Sequence, residues 1–159
     1  MPYIVLGFAL LVMFSSPAGK ALAHAGFSVV FQPAGIVFAQ MIVNLPFSLR
    51  MVRTAMADVN PRMEFIARTL GASPFDTFRT VTLPLCRNAV ISAFVLTWAR
   101  GMGEFGATLF FAGNYVGITQ TIPIAIYYDW MAGRNDVAIF WVIVVILISF
   151  LVCLLYTSD

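Results

Sequence analysis

Glu64-Phe-Ile-Ala-Arg-Thr-Leu-Gly-Ala-Ser-Pro-Phe-Asp-Thr-Phe-Arg-Thr-Val-Thr-Leu-Pro84 is a polar, arginine-bearing stretch set between two long apolar segments. Charged side chains are costly inside a bilayer, so a membrane protein keeps such stretches on the water side, within reach of soluble partners. Its internal order is helical. Met63, Ile66, Ala67 and Leu70 fall at i, i+3, i+4 and i+7, which places them on one helix face. Glu64 and Arg68 are spaced to pair at i, i+4 on the neighbouring face. Gly71 is expected to stop this helix, because glycine readily takes the left-handed backbone of a C-terminal cap. Ser73-Pro74-Phe75-Asp76 then reads as a new start, with Ser as N-cap, Pro at the first helical position and Asp closing a capping box. The stretch is therefore expected to be helix, tight turn, helix.

Outward from this loop the chain turns strongly apolar. One segment opens at Pro33 and runs to about Val52, with Pro46 predicting a kink. A second is expected from about Asn88 to Ala112. A third, from Asp136 or Val137 to Tyr156, carries no charge beyond Asp136 and is the clearest spanning helix, given the ~20 apolar residues a bilayer requires. Tyr3 to Phe14 is shorter than that. It reads either as the remainder of a transmembrane helix whose start is missing or as a signal peptide. The second alternative has the small-x-small sites Ala21-Leu22-Ala23 and Ala23-His24-Ala25 but no positive region ahead of the apolar run. Both ends of the chain, including Ser158-Asp159, read as cut. Between the second and third segments lies Gly113 to Asn135, with a short amphipathic run from Ile122 to Trp130.

Composition agrees with the segments. The chain is 61% hydrophobic and 10% charged, against about 25% charged in ordinary soluble domains. The fold class is all-α, a polytopic helical membrane protein, with residues 1–159 read as one partial transmembrane domain. Of nine Lys and Arg residues, six (Arg50, Arg53, Arg62, Arg68, Arg79, Arg87) flank or occupy the loop at 50–87. By the positive-inside rule that loop is cytoplasmic, and residues 15–32 and 113–135 face outward. Tyr128, Trp130 and Trp141 fit an outer aromatic belt.

Several function classes fall away. A net charge of +2 without basic runs interleaved with aromatics argues against nucleic acid. Cys86 and Cys153 have no zinc-site spacing and read as small buried hydrophobes, and His24, alone in an outward loop, reads as a solvated side chain. Gly19-Lys20 lacks the upstream glycine of a phosphate loop, so any ATP would be hydrolysed by another chain. Tyr128-Asp129 and Gly101-Met102-Gly103-Glu104 resemble aspartyl intramembrane protease contexts only in reversed order, with one acid a Glu and Asp129 outside membrane depth. No catalytic and no metal-ligating residue is assigned.

Arg100 and Glu104 stand one helical turn apart inside the second segment, among Gly101, Gly103 and Gly106. Ionisable groups at that depth normally face a partner, a cavity or a pathway. They form either a self-neutralising pair within a bundle or a pore-facing stretch in which small residues let the helix bend.

Together these residues carry a resemblance. The loop is similar to the cytoplasmic coupling loop of ABC importer permeases, whose pattern has a Glu-Ala-Ala triplet, a later Gly and a final Leu-Pro. Ala67, Gly71, Leu83 and Pro84 match it. Phe65 and Ile66 replace the generic Glu and first Ala, while Glu64, one position earlier, resembles the oxyanion branch. Gly103-Glu-Phe-Gly-Ala-Thr-Leu-Phe-Phe-Ala-Gly-Asn114 and Thr119-Gln-Thr-Ile-Pro-Ile-Ala-Ile-Tyr127 resemble the molybdate, tungstate and sulfate permeases, the molybdate branch most of all.

The resemblance implies an ABC importer permease fold and a homodimer in the inner membrane, in contact with lipid. It also implies a cytoplasmic ATPase subunit holding ATP-Mg and an extracytoplasmic oxyanion-binding protein, this chain binding no cofactor itself. Glu64, Ala67, Gly71, Phe75, Phe78, Leu83 and Pro84 would form the ATPase-coupling loop. Arg100, Gly103, Glu104 and Gly106 would line the translocation path or its gate, with Glu104 neutralising Arg100 or holding the gate. The function so implied is uptake of molybdate or tungstate. The alternatives are another anion such as sulfate, or a membrane subunit that docks a cytoplasmic partner without transporting. Of the apolar loop residues, some would meet that partner and others would pack on the inner ends of the permease's own helices.

Overall fold

The computed structural model describes residues 2–157, and Met1, Ser158 and Asp159 lie outside it. Among the described residues every regular element is helical: α1 (Tyr3–Ser15), α2 (Pro17–His24), α3 (Pro33–Ala57), α4 (Pro61–Thr69), α5 (Pro74–Thr77), a π turn (Phe78–Thr82), α6 (Leu83–Met102), α7 (Gly106–Ala112), α8 (Ile122–Met131) and α9 (Asn135–Thr157). Among the described residues three stretches are long and apolar enough to cross a membrane: Pro33–Ala57, Pro74–Met102 and Asn135–Leu154. The helix pair α1 and α2, bent by 71°, forms a fourth candidate as a broken span. Pro17 explains the break, since it cannot donate a backbone bond. Ser16 satisfies the exposed ends on both sides, donating from Oγ to the Met13 carbonyl (2.6 Å) and accepting from the Gly19 N–H (3.3 Å).

The described chain falls into two compact units. The first holds the residues up to Asn44 and those from Ala99 onward. Its core gathers Leu10, Val29, Ala39, Val43, Ala107 and Phe111. Phe111 is fully buried, with the Phe14 ring 5.5 Å and the Phe38 ring 5.9 Å away. In lipid the hydrophobic effect does not pull helices together, so close packing of small residues must do so. Here α1 lies on α7 through Gly7 and Gly106. A β-carbon on Gly7 would stand 2.6 Å from the Ala107 Cα, and one on Gly106 would stand 2.6 Å from Ile4 Cγ1. Helix α8 packs on α9, burying Ile124, Ala125 and Asp129. Asp129 is ion-paired with Arg134 at 2.6 Å across the turn between these helices.

Leu45–Trp98 forms the second unit. It contains the C-terminal half of α3, the loop helices and most of α6. Helix α3 continues through Pro46. Cys86 is buried as expected, but Cys153 is exposed along α9, because the apolar run around it presents nearly all of its surface outward.

The largest departure from the sequence-based expectation is in the second span. The expectation is a span from about Asn88 to Ala112, with a self-neutralising pair or a bendable stretch around Arg100 to Gly106. Instead helical backbone begins as early as Pro74, α6 ends at Met102, and a separate helix starts at Gly106. The apolar character is continuous across this region, so periodicity alone does not register the interruption. What breaks it is local: Gly103 follows the last helical residue, and the Glu104 carboxylate accepts from the Ala107 N–H at 2.9 Å, starting a new helix.

Candidate functional site

The 64–84 loop is built as its end signals dictate. Asn60 caps α4, its side chain accepting from the Arg62 N–H, with Pro61 at the first helical position. Gly71 closes it at φ 92°, where the Ala72 N–H reaches the Ala67 carbonyl and the Gly71 N–H reaches that of Arg68. These two bonds define a Schellman motif, and the positive φ is the backbone state glycine adopts without penalty. Ser73 then caps α5 by accepting from the Asp76 N–H at 3.1 Å. The second half of the expected capping box differs. The Asp76 carboxylate accepts the Ser73 hydroxyl proton at 2.6 Å instead of the Ser73 N–H.

The face expected to be apolar is both apolar and open. Met63, Phe65, Ile66, Leu70, Phe75 and Phe78 are all exposed, Leu70 at 83% and Phe75 at 69%. Ala67 is half-buried, and Leu83 and Pro84 are exposed where α6 begins. Within the described chain these side chains are left uncovered, whereas Ala67 is partly covered. A contiguous apolar surface of this kind on a polar loop marks an interaction site.

Glu64 departs from expectation. Its carboxylate does not pair with Arg68 but accepts a hydrogen bond from Thr82 Oγ1 at 2.7 Å. Thr82 is 5% exposed. It was not singled out in the sequence, because the bond joins residues eighteen apart and no local period links them. The π turn that carries Thr82 has a readable cause. Pro84 has no N–H to give the Thr80 carbonyl. The Leu83 N–H reaches back five residues to the Phe78 carbonyl, which widens the turn.

The second group of candidates lies in the first unit. Tyr3, Ile4, Arg100, Gly103, Glu104, Phe105 and Gly106 share an open cavity of about 420 Å³ with Pro2. The structure thus brings together all four residues expected at the path or gate. Their arrangement is not the one expected. Since α6 stops at Met102, Arg100 and Glu104 do not share one helix. The Arg100 guanidinium lies over the Tyr3 ring, 5.1 Å from its centroid, and the buried Glu104 (7% exposed) holds the start of α7. Glu104 is thus structural at the helix break, whatever else the cavity does.

The described chain is thus a polytopic helical architecture whose spans flank an exposed helix–Gly–helix loop. The model of the family described as binding-protein-dependent transport system inner membrane component matches residues 1–158, and the chain belongs to this family. It is 37% identical over 95% of its length to the putative molybdenum transport system permease protein YvgM of Bacillus subtilis, covering 68% of that protein. It is 38% identical over 97% of its length to the molybdenum transport system permease protein ModB of Mycobacterium tuberculosis, covering 59% of it. The match to the probable transport system permease protein NifC of Clostridium pasteurianum is 32% identical, over 98% of this chain and 54% of that protein. The chain therefore spans between about half and two thirds of the length of these relatives.

Proposed function

We propose that this chain is the membrane-spanning permease subunit of an ATP-driven importer, and that the anion it passes is tetrahedral molybdate or tungstate. ATP-Mg is held and hydrolysed by a separate cytoplasmic subunit, and this chain binds no cofactor. An extracytoplasmic binding protein delivers the anion to the outer face. Two copies of one transmembrane permease domain enclose the path between them, with residues 50–87 in the cytoplasm.

One observation carries the proposal: the open apolar face of α4 and α5, held by caps at both ends and placed between spanning helices. A soluble subunit that hydrolyses ATP must push on something rigid, and this is the rigid element the loop offers. The names of the relatives favour molybdenum oxyanions over other cargo. Arg100 supplies positive charge beside the cavity at the helix break, which suits a dianion. Glu104, engaged with the Ala107 N–H, acts on the anion only through the shape of that break.

The test is ATP hydrolysis by the permease assembled with its ATPase and binding protein in lipid vesicles. Molybdate and tungstate are expected to stimulate hydrolysis and sulfate is not. If none of the three anions changes the rate, the transport assignment is wrong; if sulfate alone does, the cargo is wrong.

A further inference from the structure

We infer that Glu64 and Thr82 form a latch that fixes the docking helix to the root of the spanning helix, and that Glu64 acts as a positioning residue without touching the ATPase. This rests on the permease reading above. The loop and the span need a connection that does not flex, because a push on α4 moves α6 only if the two move together. Backbone continuity alone does not supply it: the Gly71 turn and the four-residue α5 lie between α4 and the π turn.

The Glu64–Thr82 bond bridges that gap directly. It is 2.7 Å long, its acceptor is an ionisable carboxylate, and Thr82 is almost wholly shielded from water. Hydrogen bonds to charged acceptors are roughly twice as strong as neutral ones, and shielding strengthens them further. The π turn is part of the device. One additional residue per turn shifts everything before it by about 100° around the axis relative to an α-helix. Thr82, the last residue of that turn, is buried and faces Glu64. Exposure separates the two kinds of residue in this loop. Leu70, Phe75 and Phe65 are exposed and open to a partner, whereas Glu64 is half-buried with its carboxylate engaged by Thr82.

The decisive variants are Thr82→Val, which keeps the shape and removes the donor, and Thr82→Ser, which keeps the donor. Two measurements are made on them. The first is hydrogen exchange at the α4 amides of the permease in lipid, with no ATPase present. Thr82→Val and Glu64→Ala should speed exchange by about tenfold, the equivalent of one charge-assisted hydrogen bond, and Thr82→Ser should restore protection. The second is the ratio of molybdate-stimulated to basal ATP hydrolysis in the assembled transporter, read alongside the amount of ATPase bound. Thr82→Val should lower the ratio while the bound ATPase stays constant, and the double variant should be no worse than either single one. Unchanged exchange in Thr82→Val overturns the latch. An unchanged hydrolysis ratio despite faster exchange overturns its role in coupling. A wild-type complex that neither molybdate, tungstate nor sulfate stimulates, with exchange behaving as expected, keeps the latch and removes the transport reading instead.

Discussion

Glu104 is a buried carboxylate at the point where a span breaks, and its worth follows from what it satisfies. The N-terminal N–H groups of a helix have no partner within that helix. At α7 the Ala107 N–H is served by Glu104. Glu104→Ala leaves that N–H bare in a buried setting, which costs about 1–3 kcal/mol. A lower thermal midpoint of the permease in detergent should report the loss. Glu104→Gln retains an acceptor oxygen and should recover most of it. At this scale the sequence is legible at the ends of the loop helices: Gly71, Ser73 and Pro74 take the cap and first-turn places their chemistry favours. It was not legible for Glu64. The i, i+4 rule offered Arg68 as a partner worth only about 0.5 kcal/mol in water, and a shielded threonine hydroxyl beyond the next turn took its place.

The elements show why the spans were only partly readable. Helix α9 was found to within a residue or two because its composition is uninterrupted. The helical stretch leading into α6 was placed too far along the chain and carried through its end, for one reason in each direction. Toward the N-terminus, the helix start at Ser73-Pro74 is legible, but the polar residues of 76–82 hide its continuation into the span. Toward the C-terminus, Gly101, Gly103 and Gly106 signal a bend, but apolar neighbours on both sides disguise a full stop. Gly71 gives the sharpest prediction for an element. At φ 92° a β-branched residue is strained, by about 1–2 kcal/mol on steric grounds. Space is not the difficulty, since a β-carbon there meets nothing within 4 Å. Gly71→Val should therefore reorient α4 relative to α5 without disturbing any core. Molybdate-stimulated hydrolysis should fall while the permease remains folded by circular dichroism; full retention of stimulation would exclude the loop as the coupling element.

For the whole molecule, family membership and the helix order agree on a multi-pass component of the inner membrane. The sidedness comes from charge alone, with six of nine Lys and Arg residues in or beside the 50–87 loop. It can be tested at one exposed position. Leu70→Cys in a cysteine-free background should react with an impermeant maleimide in inside-out vesicles and stay unreacted in intact cells. Labelling in intact cells would invert the topology and with it the placement of every partner proposed.

The Gly71 turn has two counterparts. At Gly26 the Phe27 N–H returns to the Leu22 carbonyl, and at Gly133 the Arg134 N–H returns to that of Asp129, each glycine with positive φ. All three closures join residues no more than five apart, so none waits for a distant part of the chain. Local bonds of this length form in about a microsecond or less, whereas the chain is synthesised at about 5–20 residues per second. Each turn can thus be set soon after its residues leave the ribosome, before the later spans exist. Two of these stops, at Gly26 and Gly71, lie between α1 and α7, so the segments that separate those helices can be bounded before the two meet.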